Sequence, residues 1–567
     1  MTERSIRNFL ALAVGVVMLV SGCTGQPSDG GGPPASKDEP DPSGNLITNT
    51  GSEPNTIDPN RASFANEIEQ IMSVYEGLMT LDPKTLKPIP GAAAKDPEVS
   101  ADGLTWKVTL RDGLKYSDGS PLLAKDFAYG FARTCDPAVG IDYSFVLYVI
   151  AGCEAYNSMP SRATSAAELK AARDRLGIKV NGDKEIVFTL REPAAYFASI
   201  LYMWVGMPVR ESDVQKGGER WTEPPTYIGN GPFILKEWKH NDRLVYEANP
   251  NYRQGKPKLP KWTRLMIPEG QAAFALYRSN DLDETAVQAE DLRAVNSDPE
   301  LSKQVTERVA AITFYYGFNQ KRPPFNDPNV RLAFAKSFDR EAYVRDVLGG
   351  IGKYANGGFI PPGIPGYDEG DTIQKFDIAA ARQLLDKASP EARAALASIK
   401  FTYSSTPRSK TRAEWIQQQW EKNLPGVKIA LDPVDPSAFA TLFKSGASGN
   451  SPQTFGLTWI ADYPDQQNFY TVVFVSGNGV HARRTGYDNK QFNDLVRAAD
   501  RELDPKKREE MYQRAGRMLS QDAPAAWVYY LASKFLRKPW VKGVTDSSID
   551  SAMGQFKQHE IYVTKHN

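Results

Sequence analysis

The chain has 567 residues, 41% of them apolar or aromatic, and a chain of that length supports two to four lobes, each with its own core. Its 68 basic and 68 acidic side chains cancel, which argues against a nucleic-acid or other polyanionic partner. The histidines are His240, His481, His559 and His566 alone, and no Gly-x-x-x-x-Gly-Lys loop, His-Glu-x-x-His pair or Gly-x-Ser-x-Gly elbow occurs, so neither an enzyme nor a resident metal or cofactor is expected.

Arg4 and Arg7 precede an apolar run over 9–20 and then Ser21-Gly22-Cys23, and that run is too short to span a bilayer comfortably. Residues 1–22 therefore read as an export signal. The small residues ahead of Cys23 resemble a lipobox, which implies cleavage there, a diacylated Cys23 and anchorage to the outer face of the cell membrane. Residues 23–44 carry Gly30-Gly31-Gly32-Pro33-Pro34 and no apolar periodicity, the composition of a flexible tether reaching about 25 Å. With Cys23 committed to lipid, Cys135 and Cys153 are the thiols left in an exported chain, and a disulfide between them is expected.

Ordered structure is expected from Asn45-Leu46-Ile47-Thr48, a β-prone run leading to a turn near Glu53-Pro54. Ile68, Ile71, Met72, Tyr75 and Met79 recur at helical spacing over 67–81. Leu104, Trp106, Val108 and Leu110 alternate with polar residues as in a half-buried strand, and turns follow at Asp112-Gly113 and Asp118-Gly119. A strand over 185–190, a helix over 194–202 and the turn Gly229-Asn230-Gly231-Pro232-Phe233 come next, with glycine there read as permitting unusual dihedrals. Phe314-Tyr315-Tyr316 is strand-like, Asp327-Pro328 opens a helix as cap and first turn, and 415–423 and 504–522 are amphipathic helices. Between them, Phe455-Gly456-Leu457-Thr458-Trp459-Ile460-Ala461-Asp462-Tyr463 reads as a buried strand ending in a turn with a carboxylate at its mouth. Burying that carboxylate is costly without a cation, so a structural Arg or Lys partner is the plainer expectation for Asp462.

The run from Tyr75-Glu76-Gly77-Leu78 to Ser120-Pro121, the Gly-Asn-Gly-Pro-Phe turn, Asn249-Pro250-Asn251-Tyr252, Phe359-Ile360-Pro361-Pro362 and Trp459-Ile460-Ala461-Asp462-Tyr463 together resemble family 5 of the bacterial ABC-transporter solute-binding proteins, which includes oligopeptide-binding lipoproteins. The resemblance covers 45–567 with its motifs in order. It implies an α/β fold, a two-lobed clamshell of the type II, cluster C kind with an extra inserted domain. Lobe I would take 45–66, 189–311 and 533–567, the insert 67–188 and lobe II 312–532. The implied function is capture of an oligopeptide between the lobes by a monomeric receptor and delivery to an ABC permease and ATPase complex.

By the same resemblance Asp462 holds the ligand's α-ammonium, Glu53 and its neighbours flank the peptide on one side, and Thr458, Trp459 and Ile460 flank it on the other. Thr458 stands where the family usually has Gly. Tyr143 and Tyr148 would belong to an aromatic cleft wall, with core packing the alternative, and Trp459 and Tyr463 would line side-chain pockets. Where relatives that fix ligand length carry Arg before the Trp motif, this chain has Gly456-Leu457. Arg408, Lys410 and Arg412, in an expected polar loop, and Lys444 are then the candidates for the ligand's far end, against an ordinary solvated basic loop. A nickel, haem or siderophore carrier on the same fold, and a sensory lipoprotein that reads peptides without import, remain open alternatives.

Overall fold

Strand β1 (Asn45–Asn49), the expected β-prone run, buries Leu46 and Thr48 and leaves its other residues partly exposed, as a strand with one face on a core does. The computed structural model describes residues 38–444, 451–477 and 479–566; the expected signal, Cys23 and most of the tether lie outside the described residues. Residues 40–567 form one unit, and of the other, residues 1–39, only Asp38 and Glu39 are described. The chain is engaged earlier than position 45, since the Asp41 N–H donates to the Val563 carbonyl at 2.8 Å.

Helix α1 (Ala65–Val74) is shorter than the apolar spacing over 67–81 predicts. Past Tyr75 the chain is extended because Asn230 acts as a strand partner: its Oδ1 accepts from the Glu76 N–H at 3.0 Å and its amide donates to the Glu76 carbonyl at 2.9 Å. Met79 accordingly lies in the short strand Met79–Leu81. Gly229 and Gly231 are needed for proximity rather than for unusual dihedrals, since a Cβ on Gly229 would lie 2.1 Å from the Val74 carbonyl oxygen and one on Gly231 2.6 Å from the Tyr75 nitrogen.

Strands β2 (Thr105–Thr109) and β3 (Glu185–Thr189) pair antiparallel at the centre of a four-stranded sheet, flanked by Glu98–Val99 and Ile178–Asn181. Helices α2 (Ala124–Thr134) and α3 (Cys153–Asn157) lie between them in sequence. A disulfide joins Cys135, at the end of α2, to Cys153, at the start of α3, with the Cα atoms 5.3 Å apart. Strands β4 (Phe233–Lys239), β5 (Arg243–Ala248) and β6 (Lys261–Leu265) complete the first sheet in the order β1-β6-β5-β4, β1 parallel to β6. The buried Arg264 of β6 holds α1 by donating to the Glu69 carbonyl at 3.2 Å and to Gln70 at 2.8 Å.

Two long strands, β7 (Val305–Phe318) and, after β8 (Ile399–Ser404) and β9 (Thr454–Ile460), β10 (Ala525–Arg537), run antiparallel as the middle of a seven-stranded sheet. Their register shifts between Val309 and Thr313. On one side of that shift β10 pairs with Glu284–Ala286, and the neighbouring Asp283 N–H donates to the Ile47 carbonyl of β1 at 2.8 Å. On the other side β7 pairs with β9. Among the described residues no helix is long and apolar enough to cross a membrane.

Candidate functional site

Strand β9 pairs with β7 along its whole length, Ile312 opposite Ile460 through Phe318 opposite Thr454. On its other side β8 runs beside it only at Thr454 and Phe455 and then diverges. Among the described residues, Gly456 to Ile460 therefore have no strand on that edge, and every second one of them turns its backbone N–H and C=O toward it. The expectation of a buried strand is corrected here: only Thr454 and Phe455 are buried, Thr458 is exposed, and Ile460 is 61% exposed.

The edge ends at Asp462. Its Oδ1 accepts from the Tyr143 hydroxyl at 3.1 Å and its Oδ2 from the Asn468 amide at 2.9 Å, while its own N–H donates to Asn468 Oδ1 at 3.1 Å. The Tyr202 hydroxyl approaches its carbonyl at 3.5 Å. No Lys, Arg or His lies within ion-pair distance of Asp462 among the described residues, so the plainer expectation of a structural cation is not met at this carboxylate. Burial pushes its carboxyl above the ordinary 3.8, and the hydrogen bonds from Asn468 and Tyr143 offset part of that rise. The cation stands three residues further on, where Arg508 forks onto Asp465 at 2.6 and 2.9 Å. Asp465 also caps α4 (Gln466–Phe474), accepting from the Gln467 N–H at 2.8 Å.

The segment between α2 and α3 delivers Tyr143 from the turn Asp142–Leu147, which the disulfide brackets. Tyr148 belongs to the support of that turn: its hydroxyl donates to Asn157 Oδ1 at 2.8 Å, as does the Ser144 hydroxyl at 2.9 Å. Near this end two further contacts join distant segments, the Tyr196 and Tyr463 rings stacked with centroids 6.3 Å apart and the ion pair Arg501–Glu192 at 2.8 Å. Tyr463 is thus buried against Tyr196. Trp459 is half-buried, with an indole N–H that has no partner among the described residues.

Glu53 is not in a strand, and its carboxylate holds the β4–β5 hairpin instead, accepting from Trp238 Nε1 at 3.0 Å and the Asn241 N–H at 2.6 Å and meeting His240 Nδ1 at 2.8 Å. The expected basic loop is the start of a helix, Pro407–Asn423, with Thr406 as cap and Pro407 in its first turn. Arg408 is exposed and Lys410 is exposed beside Glu414 at 3.7 Å, whereas Arg412 turns inward and donates to the Tyr529 hydroxyl at 2.7 Å. Lys444 ends the helix Pro436–Lys444, and its side chain lies outside the described residues. Asn468 and Tyr202 were not anticipated; the only sequence signal for Asn468 was its place in the first turn after the Asp465 cap. A cavity of about 500 Å³ opens elsewhere, among Arg340, Asp371, Ser520 and Trp527, and none of the expected binding residues lines it.

Residues 87–480 match the family model described as bacterial extracellular solute-binding proteins, family 5, middle region. The chain is 32% identical to the dipeptide-binding protein DppE of Bacillus subtilis over 94% of this chain and 95% of that one, and 29% identical to the periplasmic oligopeptide-binding protein OppA of Salmonella typhimurium over 92% and 93%. In structure it is similar to the unliganded open form of the murein tripeptide-binding protein MppA, with a TM-score of 0.79, 27% identity and coverage of 93% and 99%.

Proposed function

The chain belongs to family 5 of the bacterial extracellular solute-binding proteins, a two-lobed type II fold whose members bind substrate and are not enzymes, and from that premise we propose that it is an oligopeptide receptor serving an ABC importer. The observation that carries this reading is the free edge of β9 ending at a carboxylate that lacks a cation. An extended peptide satisfies such an edge with its own backbone whatever its side chains are, and its terminal ammonium supplies the charge that Asp462 lacks. Dipeptide-, oligopeptide- and murein tripeptide-binding names among its relatives support the same class of ligand.

In this reading the lobes close about the register shift between Val309 and Thr313, with 45–66, 189–311 and 533–567 as lobe I, 67–188 as the insert and 312–532 as lobe II. Closure removes water from the Asp462 end and strengthens the ammonium–carboxylate contact. Cys23 carries the lipid that keeps this monomeric receptor at the outer face of the membrane, beside the permease and ATPase complex to which it hands its ligand. A nickel, haem or siderophore ligand has no use for a row of backbone amides.

Mass spectrometry of the native protein as purified tests these statements together. Short peptides with free amino termini as cargo and a diacylglyceryl group on Cys23 are the expected results. A metal, haem or siderophore as the retained cargo, with no binding of added peptides by calorimetry, overturns the receptor assignment.

A further inference from the structure

The large apolar side chains that the fold leaves most exposed are not scattered. Among the described residues these are Ile460, Phe64 at 60% and, level with Tyr354, Phe145 at 42%. Three of the four meet around Asp462. Ile460 lies two residues before it on the free edge of β9. Phe145 stands on the turn that delivers Tyr143, with the two ring centroids 5.5 Å apart. Phe64 is tied to the same place through Trp204, whose indole N–H donates to the Ala62 carbonyl at 3.0 Å and whose ring centroid lies 5.0 Å from that of Tyr143. Single exposed apolar residues need no explanation, whereas three converging on one carboxylate from separate segments do.

Phe64 also breaks a local rule. It caps α1, where Ser, Thr, Asp or Asn would accept a hydrogen bond from the first turn, and its ring accepts none. The Glu67 carboxylate holds the Phe64 N–H at 3.0 Å and the Ser63 N–H at 2.8 Å, so the backbone is fixed while the ring is left in water. Leu123 caps α2 in the same way, its N–H held by Asp126 at 2.9 Å, but the Leu123 side chain is half-buried against the protein. The Phe64 ring gives the fold neither a cap nor a core contact, and a side chain that serves the fold so little is free to serve a ligand.

We propose that Phe64, Phe145 and Ile460 form an apolar collar around Asp462 that selects peptides with a large apolar side chain in their first two residues; the inference rests on the peptide-receptor reading above. The occupant follows from the combination of charge and apolar surface. A peptide's first residue carries its ammonium and its side chain on one carbon, so one group answers the carboxylate while its neighbour covers the rings. An extended ligand turns its first and second side chains to opposite faces, and one of those two positions faces the collar. The fourth residue lies about 10 Å further along the edge, beyond its reach. A polar side chain of similar size loses its water against these rings and gains no partner.

Calorimetry on the full-length protein separates the outcomes. The probes are tetra-alanine with a free amino terminus and the same peptide with Leu or Gln at position one, two or four. Leu at one of the first two positions is expected to bind roughly tenfold or more tighter than Ala or Gln there, with little gain from Leu at position four. The Phe64→Ser variant gives the deciding split. Serine accepts the helix hydrogen bond that Phe cannot, so the unfolding midpoint should rise, while the preference for Leu over Ala should fall by about threefold or more. Phe64→Leu should keep most of that preference. If free-amine peptides bind but show no Leu preference at either position, or one that Phe64→Ser leaves unchanged, the collar is overturned and the receptor reading stands. Binding of no free-amine peptide overturns both.

Discussion

Asp465 and Asp462 stand at the two sides of one turn and are handled in opposite ways. Asp465 is buried, capped onto α4 and held by both arms of Arg508; every demand of its charge is met inside the protein. Asp462 has two neutral donors, Tyr143 and Asn468, and no cation, at the end of an unpaired strand edge. What arrives from elsewhere in the chain makes the difference: Arg508 comes from the helix Pro505–Asp522, and Tyr143 from the turn between α2 and α3. Folding supplies a counter-charge to Asp465 and none to Asp462, which in the proposed reading receives the ligand's ammonium.

The contrast is broken most forcefully at Asp465. Replacing it by Ala strands the Arg508 charge, and breaking a buried pair of this kind costs about 3 to 5 kcal/mol. Chemical denaturation of Asp465→Ala is expected to show that loss, whereas Asp462→Asn leaves stability at neutral pH unchanged or raises it. Equal losses in both variants would erase the distinction.

Next in size is the support of Tyr143. The Cys135–Cys153 link closes a loop of separation 18 around the turn that carries it, worth about 3 kcal/mol in the chain-entropy account. Titration of the denatured, unreduced mature protein should find neither thiol free, and reduction should lower the unfolding midpoint and weaken ligand binding together. Two titratable thiols would remove this support.

A smaller effect is expected from acid. The carboxyl of Asp462 is raised in the folded protein, so its ionised form is disfavoured there, and this cost is present above the raised value and relieved as pH falls through it. A cationic ligand reverses the preference by stabilising the carboxylate. Peptide affinity should therefore fall as pH drops from neutral toward the usual carboxylate range, by at most about tenfold per unit for one proton, with proton release on binding. An N-acetylated peptide should lack this dependence, and an identical pH profile for both peptides would detach it from Asp462.

Much of the frame was legible in the chain. Alternation located β2, and the Asp327-Pro328 pair announced the helix Pro328–Lys336, where Asp327 accepts from the Asn329 N–H. The same signal stands at Thr406-Pro407, but the Ser, Arg and Lys that follow have the composition of a solvated loop because that helix presents one of its faces to solvent. Composition alone does not separate Arg412 from Arg408 and Lys410, although it is Arg412 that donates to the Tyr529 hydroxyl. The side-chain partners of Glu53 come from the β4–β5 hairpin far along the chain, which no local pattern around Glu53 encodes. The pairing of Asp462 with Tyr143 spans 319 positions, and no local pattern of either residue encodes it.

The most direct test of the account is a double cycle by calorimetry at neutral pH, combining Asp462→Ala with N-acetylation of one free-amine peptide. Truncating one partner of a buried charged pair typically costs about 2 to 5 kcal/mol, so the variant and the acetylated peptide should each weaken binding by roughly thirtyfold or more. The two changes together should cost little more than either alone, since both remove the same contact. Equal binding of free and acetylated peptide by the wild type would contradict the claim that Asp462 receives the ligand's amino terminus.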